Sequence, residues 1–256
     1  DVYKRQYHDV PEDLRKHYMT KDLTALHANP PKGPRKEQLQ DQLARIAAMI
    51  TNEDQNVGRL MALLSEQGLT DNTMVIRMND NGPNSMRYVG EMRGMKTNVH
   101  EGGIRSPFWL HWPAKIPAGA TADALTAHID VMPTILEACG AKAGPNPMDG
   151  RSFLGLLTQP DETEWPNRQL VIQSHRGTEA KPYHHFMLRD GDWKLLHASG
   201  FGKLAFEGEP KFELYNLKDD PEERKNLAAE QPEVLSRLKA DYETWFADVS
   251  STRPNN

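Results

Sequence analysis

The sequence predicts an α/β region followed by a smaller α+β unit. Three observations carry this. A long amphipathic helical stretch leads through a short turn into an apolar strand segment. A polar, proline-containing connector, 158-TQPDETEWPNR-168, then interrupts the chain. Beyond it come short strand candidates separated by turn residues and closed by one amphipathic helix.

Residues 11–35, rich in Pro, Lys and His, read as loop with a short helical piece. From Lys36 to Gln67 the spacing predicts a helix. Leu39, Leu43, Ile46, Ile50, Val57, Leu60 and Leu64 fall on one face, and Gly68 suits the left-handed cap. Asp54 sits on that stripe and is expected to bond a neighbour. Thr73–Met78 reads as a strand, expected in a parallel sheet because a helix precedes it; Pro107–Trp112 is a second strand. Helical pattern returns over 127-AHIDVMPTILEAC-139, with Asp130 as a cap and Gly140 as the stop. Cys139, on an apolar helix end, is expected to be a buried structural thiol. After the connector, Gln169–Ser174, His185–Leu188, Trp193–His197 and Phe212–Asn216 are strand candidates. Asp190-Gly191 and Asp219-Asp220-Pro221 supply turns, and a helix from Pro232 to Ala247 carries Leu235, Leu238, Tyr242 and Trp245 on one face.

Composition narrows the function. The 256 residues carry a net charge of −5 with no basic block, which argues against nucleic-acid binding. No run reaches the roughly 18 apolar residues of a membrane span. One cysteine excludes an internal disulfide framework and a cysteine-based zinc site. The apolar fraction is 38% and the mean hydropathy −0.72, low for a chain of this size. Either the surface is very polar or part of the parent core lies elsewhere. Residues 1–6, DVYKRQ, back-translate as GAT GTG TAT AAG AGA CAG, which resembles a transposon end used in sequencing libraries. They are expected to be a read-through scar rather than an ordinary polar segment. On that expectation the gene's true start is missing, and the lack of a signal peptide says nothing of localisation. The expected divisions are 1–6 as artefact, 7–160 as part of a catalytic domain and 161–256 as an antiparallel-sheet subdomain.

The chemistry concentrates in 79-NDNGPNSMRYVGEMRGMKTNVHEGGIRSP-107. Asp80 and Asn81 follow a strand end, the edge where open α/β sheets bind ligands. Both are hard oxygen donors suited to Ca²⁺ or Mg²⁺, although two are too few for a calcium shell; a plain strand-end turn is the alternative. Lys96 is a compact cation able to hold an anion's oxygen, or simply a solvated lysine. Glu101-Gly102-Gly103 permits close backbone approach, Arg105 is expected to pair with Glu101 or a neighbour, and His100 could touch a substrate or fill a groove. His184 and His185 are expected on a strand with rings on opposite faces, against a shared metal.

In combination these stretches resemble the type I sulfatases, or arylsulfatases. The order is Asp-Asn-Gly-Pro, Arg-Gly-x-Lys, Glu-Gly-Gly-Ile-Arg-x-Pro and Trp-Pro-Ala-Lys-Ile. It continues with Ile129–Thr134, Asp149–Ser152, Gly191–Leu195 and Glu213–Leu217, then Asp220-Pro221-Glu222-Glu223 and Asn226-Leu227; upstream, residues 49–60 also fit. The match covers about residues 36–247. The resemblance implies an alkaline-phosphatase-like fold and hydrolysis of a sulfate ester by a formylglycine nucleophile made from Cys/Ser-x-Pro/Ala-x-Arg. It implies a Ca²⁺ (or Mg²⁺) site that includes Asp80 and Asn81, and a catalytic, sulfate-binding Lys96. His100 is a weaker substrate candidate, at a position where the family often has an aromatic residue. The substrate would be a sulfated small molecule or glycan, and the location periplasmic or secreted. The nucleophile motif does not occur in this chain: Cys139 lies in Glu-Ala-Cys-Gly-Ala. The chain is therefore expected to be a C-terminal portion, inactive by itself. Alternatives are a phosphate-ester hydrolase of the same superfamily and a non-catalytic accessory protein.

Overall fold

The computed structural model describes residues 9–27, 31–85, 87–174 and 179–251; the DVYKRQ segment lies outside the described residues. Helix α1 (Glu12–Met19) packs on the first half of α2 (Pro34–Glu66). Pro34 begins α2 where no amide donor is needed, and Gly68 follows it at φ 66°. Arg15 donates to Asp41 at 2.8 Å, and the Tyr18 and Thr51 hydroxyls meet at 2.6 Å. Under α1 the stripe is buried at Leu43, Ala44 and Ala48. Beyond it Ile50 and Leu60 stand about half exposed, at 52% and 48%. Asp54 is exposed and has no bonded neighbour among the described residues, so the expected bond is not made.

Strand β1 (Val75–Met78) pairs antiparallel with β2 (Phe108–His111), Val75 opposite His111 and Met78 opposite Phe108. This corrects the parallel expectation for Thr73–Met78. A parallel partner needs a crossover that carries the chain back along the sheet, usually a helix. Among the described residues the segment between these strands holds only the one-turn α3 (Glu101–Ile104), and it closes on itself, with Gly82 N donating to Gly103 O at 2.9 Å.

Next come a 3-10 turn at His128–Asp130, α4 (Val131–Ala138) and α5 (Leu154–Thr158). Asp130 stands at the N-cap of α4, but its side chain bonds no amide of that helix. Its buried carboxylate instead accepts from Arg151 N at 2.8 Å, Ala127 N at 2.7 Å and both terminal nitrogens of Arg168. The expected cap is therefore a cross-link between three segments, because a buried carboxylate takes its partners from a guanidinium before anything weaker. Gly150 is required there: a Cβ would lie 2.0 Å from Ile129 O. Cys139 is exposed, not buried, because the α4 face it extends is open, with Met132 at 59% and Ile135 at 38%.

The C-terminal unit is a four-stranded antiparallel meander. It comprises β3 (Gln169–Gln173), β4 (Phe186–Asp190), β5 (Trp193–His197) and β6 (Glu213–Asn216), with α6 (Pro232–Ser251) against it. Side chains alternate across the sheet. Phe186, Leu188, Leu195 and Leu214 point to one face and pack on Leu238 and Tyr242 of α6. Met187, Leu196 and Tyr215 form a second cluster with Val99 and Leu217, joined by Ile104. The sheet thus lies between α6 and the 79–107 segment. His184 and His185 precede β4 in a turn rather than on a strand, His185 at φ 41°.

Candidate active site

The 79–107 segment is shaped by backbone packing that only glycine allows. A Cβ on Gly82 would sit 1.9 Å from Gly102 O; one on Gly102 would sit 2.6 Å from Arg93 O; one on Gly103 would sit 2.3 Å from Asn98 O. Gly102 N donates to Arg93 O at 2.7 Å, Gly103 N to His100 O at 2.8 Å and Lys96 N to Pro83 O at 2.8 Å. The Asp-Asn-Gly, Arg-Gly-Met-Lys and Glu-Gly-Gly stretches are therefore one interlocked unit.

That unit brings Asp80 and Lys96 together: Lys96 Nζ lies 3.4 Å from Asp80 Oδ2, with side chains 33% and 56% exposed. Asn81, half-buried, stands next to Asp80. The donor chemistry suits a hard cation, and an anion beside Lys96 could meet both charge and metal. The donor number falls short: no group of three His, Cys, Asp or Glu that could hold a metal occurs among the described residues. His100 is held at the C-terminal sheet. It is 5% exposed and its Nε2 lies 3.4 Å from Glu213 Oε2 on β6.

Glu213 also accepts from Arg93 Nη1 at 2.8 Å and from the Tyr215 hydroxyl, while Arg93 Nη1 donates to Tyr215 Oη at 2.8 Å. Burial works to raise the Glu213 carboxyl, but the His100 and Tyr215 hydrogen bonds and the Arg93 charge hold it down at about 2. Deeper in the same interface Lys194 Nζ is fully buried between Glu101 Oε1 at 2.8 Å and Glu223 Oε1 at 2.7 Å. The contact to Glu223 is an ion pair outside hydrogen-bond angles, since that oxygen has no hydrogen-bond donor. Glu223 Oε2 accepts from Glu101 N at 2.7 Å, and Arg189 Nη1 lies 3.8 Å from Glu101 Oε2. Arg105 is exposed and does not pair with Glu101, because Lys194 and Arg189 already hold that carboxylate.

Arg93, Lys194, Glu213 and Glu223 were missed as site-supporting groups. The signal was present: a lysine between Trp193 and Leu195 in an otherwise apolar strand had to find a partner. Arg87 was also missed; it is partly buried, burial lowers its pKa, and it bonds no group among the described residues. The two histidines of the doublet have rings 6.5 Å apart and separate partners: Ser199 Oγ and Lys203 O for His184, and Thr97 O and Gly200 N for His185.

Comparison with known proteins identifies the family. The sulfatase family model matches residues 3–141. The model for N-sulphoglucosamine sulphohydrolase, C-terminal, matches residues 93–245. The chain is 27% identical over 210 residues to N-acetylglucosamine-6-O-sulfatase of Bacteroides thetaiotaomicron, covering 78% of this chain and 35% of that protein. It is 31% identical over 209 residues to human arylsulfatase A, covering 73% and 40%. Among solved structures, the phosphonate monoester hydrolase of Silicibacter pomeroyi aligns with a TM-score of 0.59 at 24% identity, over 83% of this chain and 42% of that one. The fold is the alkaline-phosphatase-like α/β fold. The chain spans between a third and two fifths of the length of these curated relatives. Two overlapping family matches, each over more than half the chain, share residues 93–141, and on that ground the chain belongs to the sulfatase family.

Proposed function

We propose that this chain supplies the sulfate-holding half of a sulfate-ester hydrolase. The observation that carries it is the pairing of Lys96 Nζ with Asp80 Oδ2 at 3.4 Å on a loop locked by glycine packing. In this reading Lys96 neutralises sulfuryl oxygens and favours charge leaving through the ester oxygen, a preorganised electrostatic contribution. Asp80 and Asn81 contribute two oxygens to a Ca²⁺ or Mg²⁺ shell. A metal held there would supply Lewis-acid polarisation of the sulfate, with Asp80 and Asn81 among its oxygen donors. The nucleophile is a formylglycine hydrate outside these 256 residues, which contain no Cys/Ser-x-Pro/Ala-x-Arg. The net reaction consumes one water: the bond between sulfur and the alcohol oxygen breaks, that oxygen takes a proton, and the products are the free hydroxyl and hydrogen sulfate, which loses its proton to solvent. A sulfated sugar is the favoured substrate class, supported by likeness to a relative named for N-acetylglucosamine-6-O-sulfate chemistry. Structural likeness to a phosphonate monoester hydrolase motivates a second reading, a phosphorus ester as substrate.

The test starts from the source DNA upstream of Tyr7. A continuous frame encoding the nucleophile motif is the expected finding. The full-length enzyme is then assayed on paired sulfate and phosphate esters of one alcohol. Lys96→Ala is expected to lower kcat/KM on the sulfate by about 10²–10³-fold. Preference for the phosphate would transfer the site to the second reading. Sulfatase turnover by the 256-residue chain alone, above its Lys96→Ala control, would overturn the division of labour proposed here.

A further inference from the structure

We propose that Lys194 is a positioning residue for the candidate site. It is a β5 residue with no exposure, yet two buried carboxylates from distant segments converge on it. Glu101 begins the Glu-Gly-Gly turn, and Glu223 follows β6 with φ 58°, a conformation a non-glycine residue rarely takes. Glu223 binds the ammonium through one oxygen and the Glu101 amide through the other. With Arg189 at 3.8 Å the group holds two cations and two anions and is neutral. In register, Arg189 and Tyr215 flank Lys194 on the neighbouring strands, so a single row across the sheet faces the loop.

A buried ion group of this kind is a poor source of stability, since apolar residues of similar volume often do as well. What it does specify is position. Ammonium and carboxylates must meet at hydrogen-bonding distance, whereas a methyl cluster tolerates sliding. The position reaches the site in two steps. Glu101 is continuous with Gly102 and Gly103, and those glycines seat Gly82, next to Asn81 and Asp80, and Arg93 to Met95, next to Lys96. Lys194 therefore sets where the metal donors and the sulfate-holding ammonium stand without touching either. The functional half of this inference rests on the sulfatase reading; the structural half does not.

Amide hydrogen exchange on the 256-residue chain tests the structural half. In Lys194→Met the amides of Gly82, Gly102 and Gly103 are expected to exchange about tenfold or more faster, while Leu188 and Leu195 in the sheet stay within about twofold. Equal loss at loop and sheet would reduce Lys194 to a general stabiliser, and no change at either would remove the role altogether; both outcomes overturn the proposal. Should Lys194→Met not fold, Glu223→Gln is read the same way, because it keeps the ammonium and its Glu101 partner. In the full-length enzyme Lys194→Met is expected to lower kcat about tenfold or more with KM changed by less than about threefold, the pattern of misplaced catalytic groups. A rise in KM alone would overturn the functional half. Altered exchange in an enzyme inactive on sulfate esters would leave the positioning role standing and sink the sulfatase reading instead.

Discussion

Gly82 admits no side chain, because the carbonyl of Gly102 occupies the place of its Cβ at 1.9 Å. Backbone on both sides means neither partner can rotate away. Gly82→Ala is expected to lower stability by about 1–3 kcal/mol through overpacking, read as a shift of the urea midpoint. An unchanged midpoint would mean that the loop opens freely and that the site is not preformed. Lys96, by contrast, is partly exposed and paired with Asp80, so Lys96→Ala should move that midpoint by no more than about 1 kcal/mol while it removes the proposed sulfate contact. The two variants separate a residue that builds the loop from one the loop exists to present.

At the scale of elements, the seam between the 93–100 stretch and β6 gathers its charged contacts on one carboxylate, Glu213. The folded Glu213 carboxyl is held at about 2, below its unfolded value of about 4.3. A depressed carboxyl stabilises the fold above the unfolded pKa and loses that contribution as pH falls toward the folded one. The seam should hold above about pH 4.5 and weaken steadily below it. Glu213→Gln should remove that part of the acid sensitivity. The expected result is a smaller drop in urea midpoint between about pH 6 and pH 3.5 than in the parent chain. Equal drops would show that other groups govern acid unfolding there. His185 and His197 act in the same direction at higher pH. Burial pushes both below the usual imidazole range, so the unfolded chain takes up their protons first and stability rises with pH near 6.

Across the whole molecule, apolar surface is unevenly covered. The C-terminal sheet is buried on two faces, with Leu188, Leu195 and Leu214 at 0% on one and Leu196 at 0% on the other. The second half of α2, the outer side of β2 and one side of α4 are open: Leu63 is 52% exposed, Trp109 56% and Met132 59%. Patches of this kind mark interaction surfaces or aggregation sites. The purified 256-residue chain is expected to self-associate, with sedimentation at rising concentration showing growing oligomers. A monodisperse monomer with a sharp melting transition would contradict that. On the proposed reading the same chain is expected to show no aryl-sulfate turnover, because two oxygen donors, Asp80 and Asn81, cannot complete a calcium shell.

Much of this molecule was legible in residue order. Periodicity marked α2 and α6 to within a few residues and turn chemistry separated β3 to β6, because each signal is local in the chain, whereas the three glycine-bearing motifs pointed to the candidate loop only in combination, through the family resemblance. Tertiary structure alone decided the rest. It turned β2 antiparallel to β1, left Cys139 exposed, and took Asp130 from its helix to bind Arg168. It also sent His100 to Glu213 and joined Glu101, Lys194 and Glu223 across more than 90 residues. The physical reason is one of range. A hydrophobic period or a glycine turn is set by neighbours in sequence, whereas a buried charge is partnered by whichever opposite charge the packed sheet brings near, and no spacing rule encodes that choice.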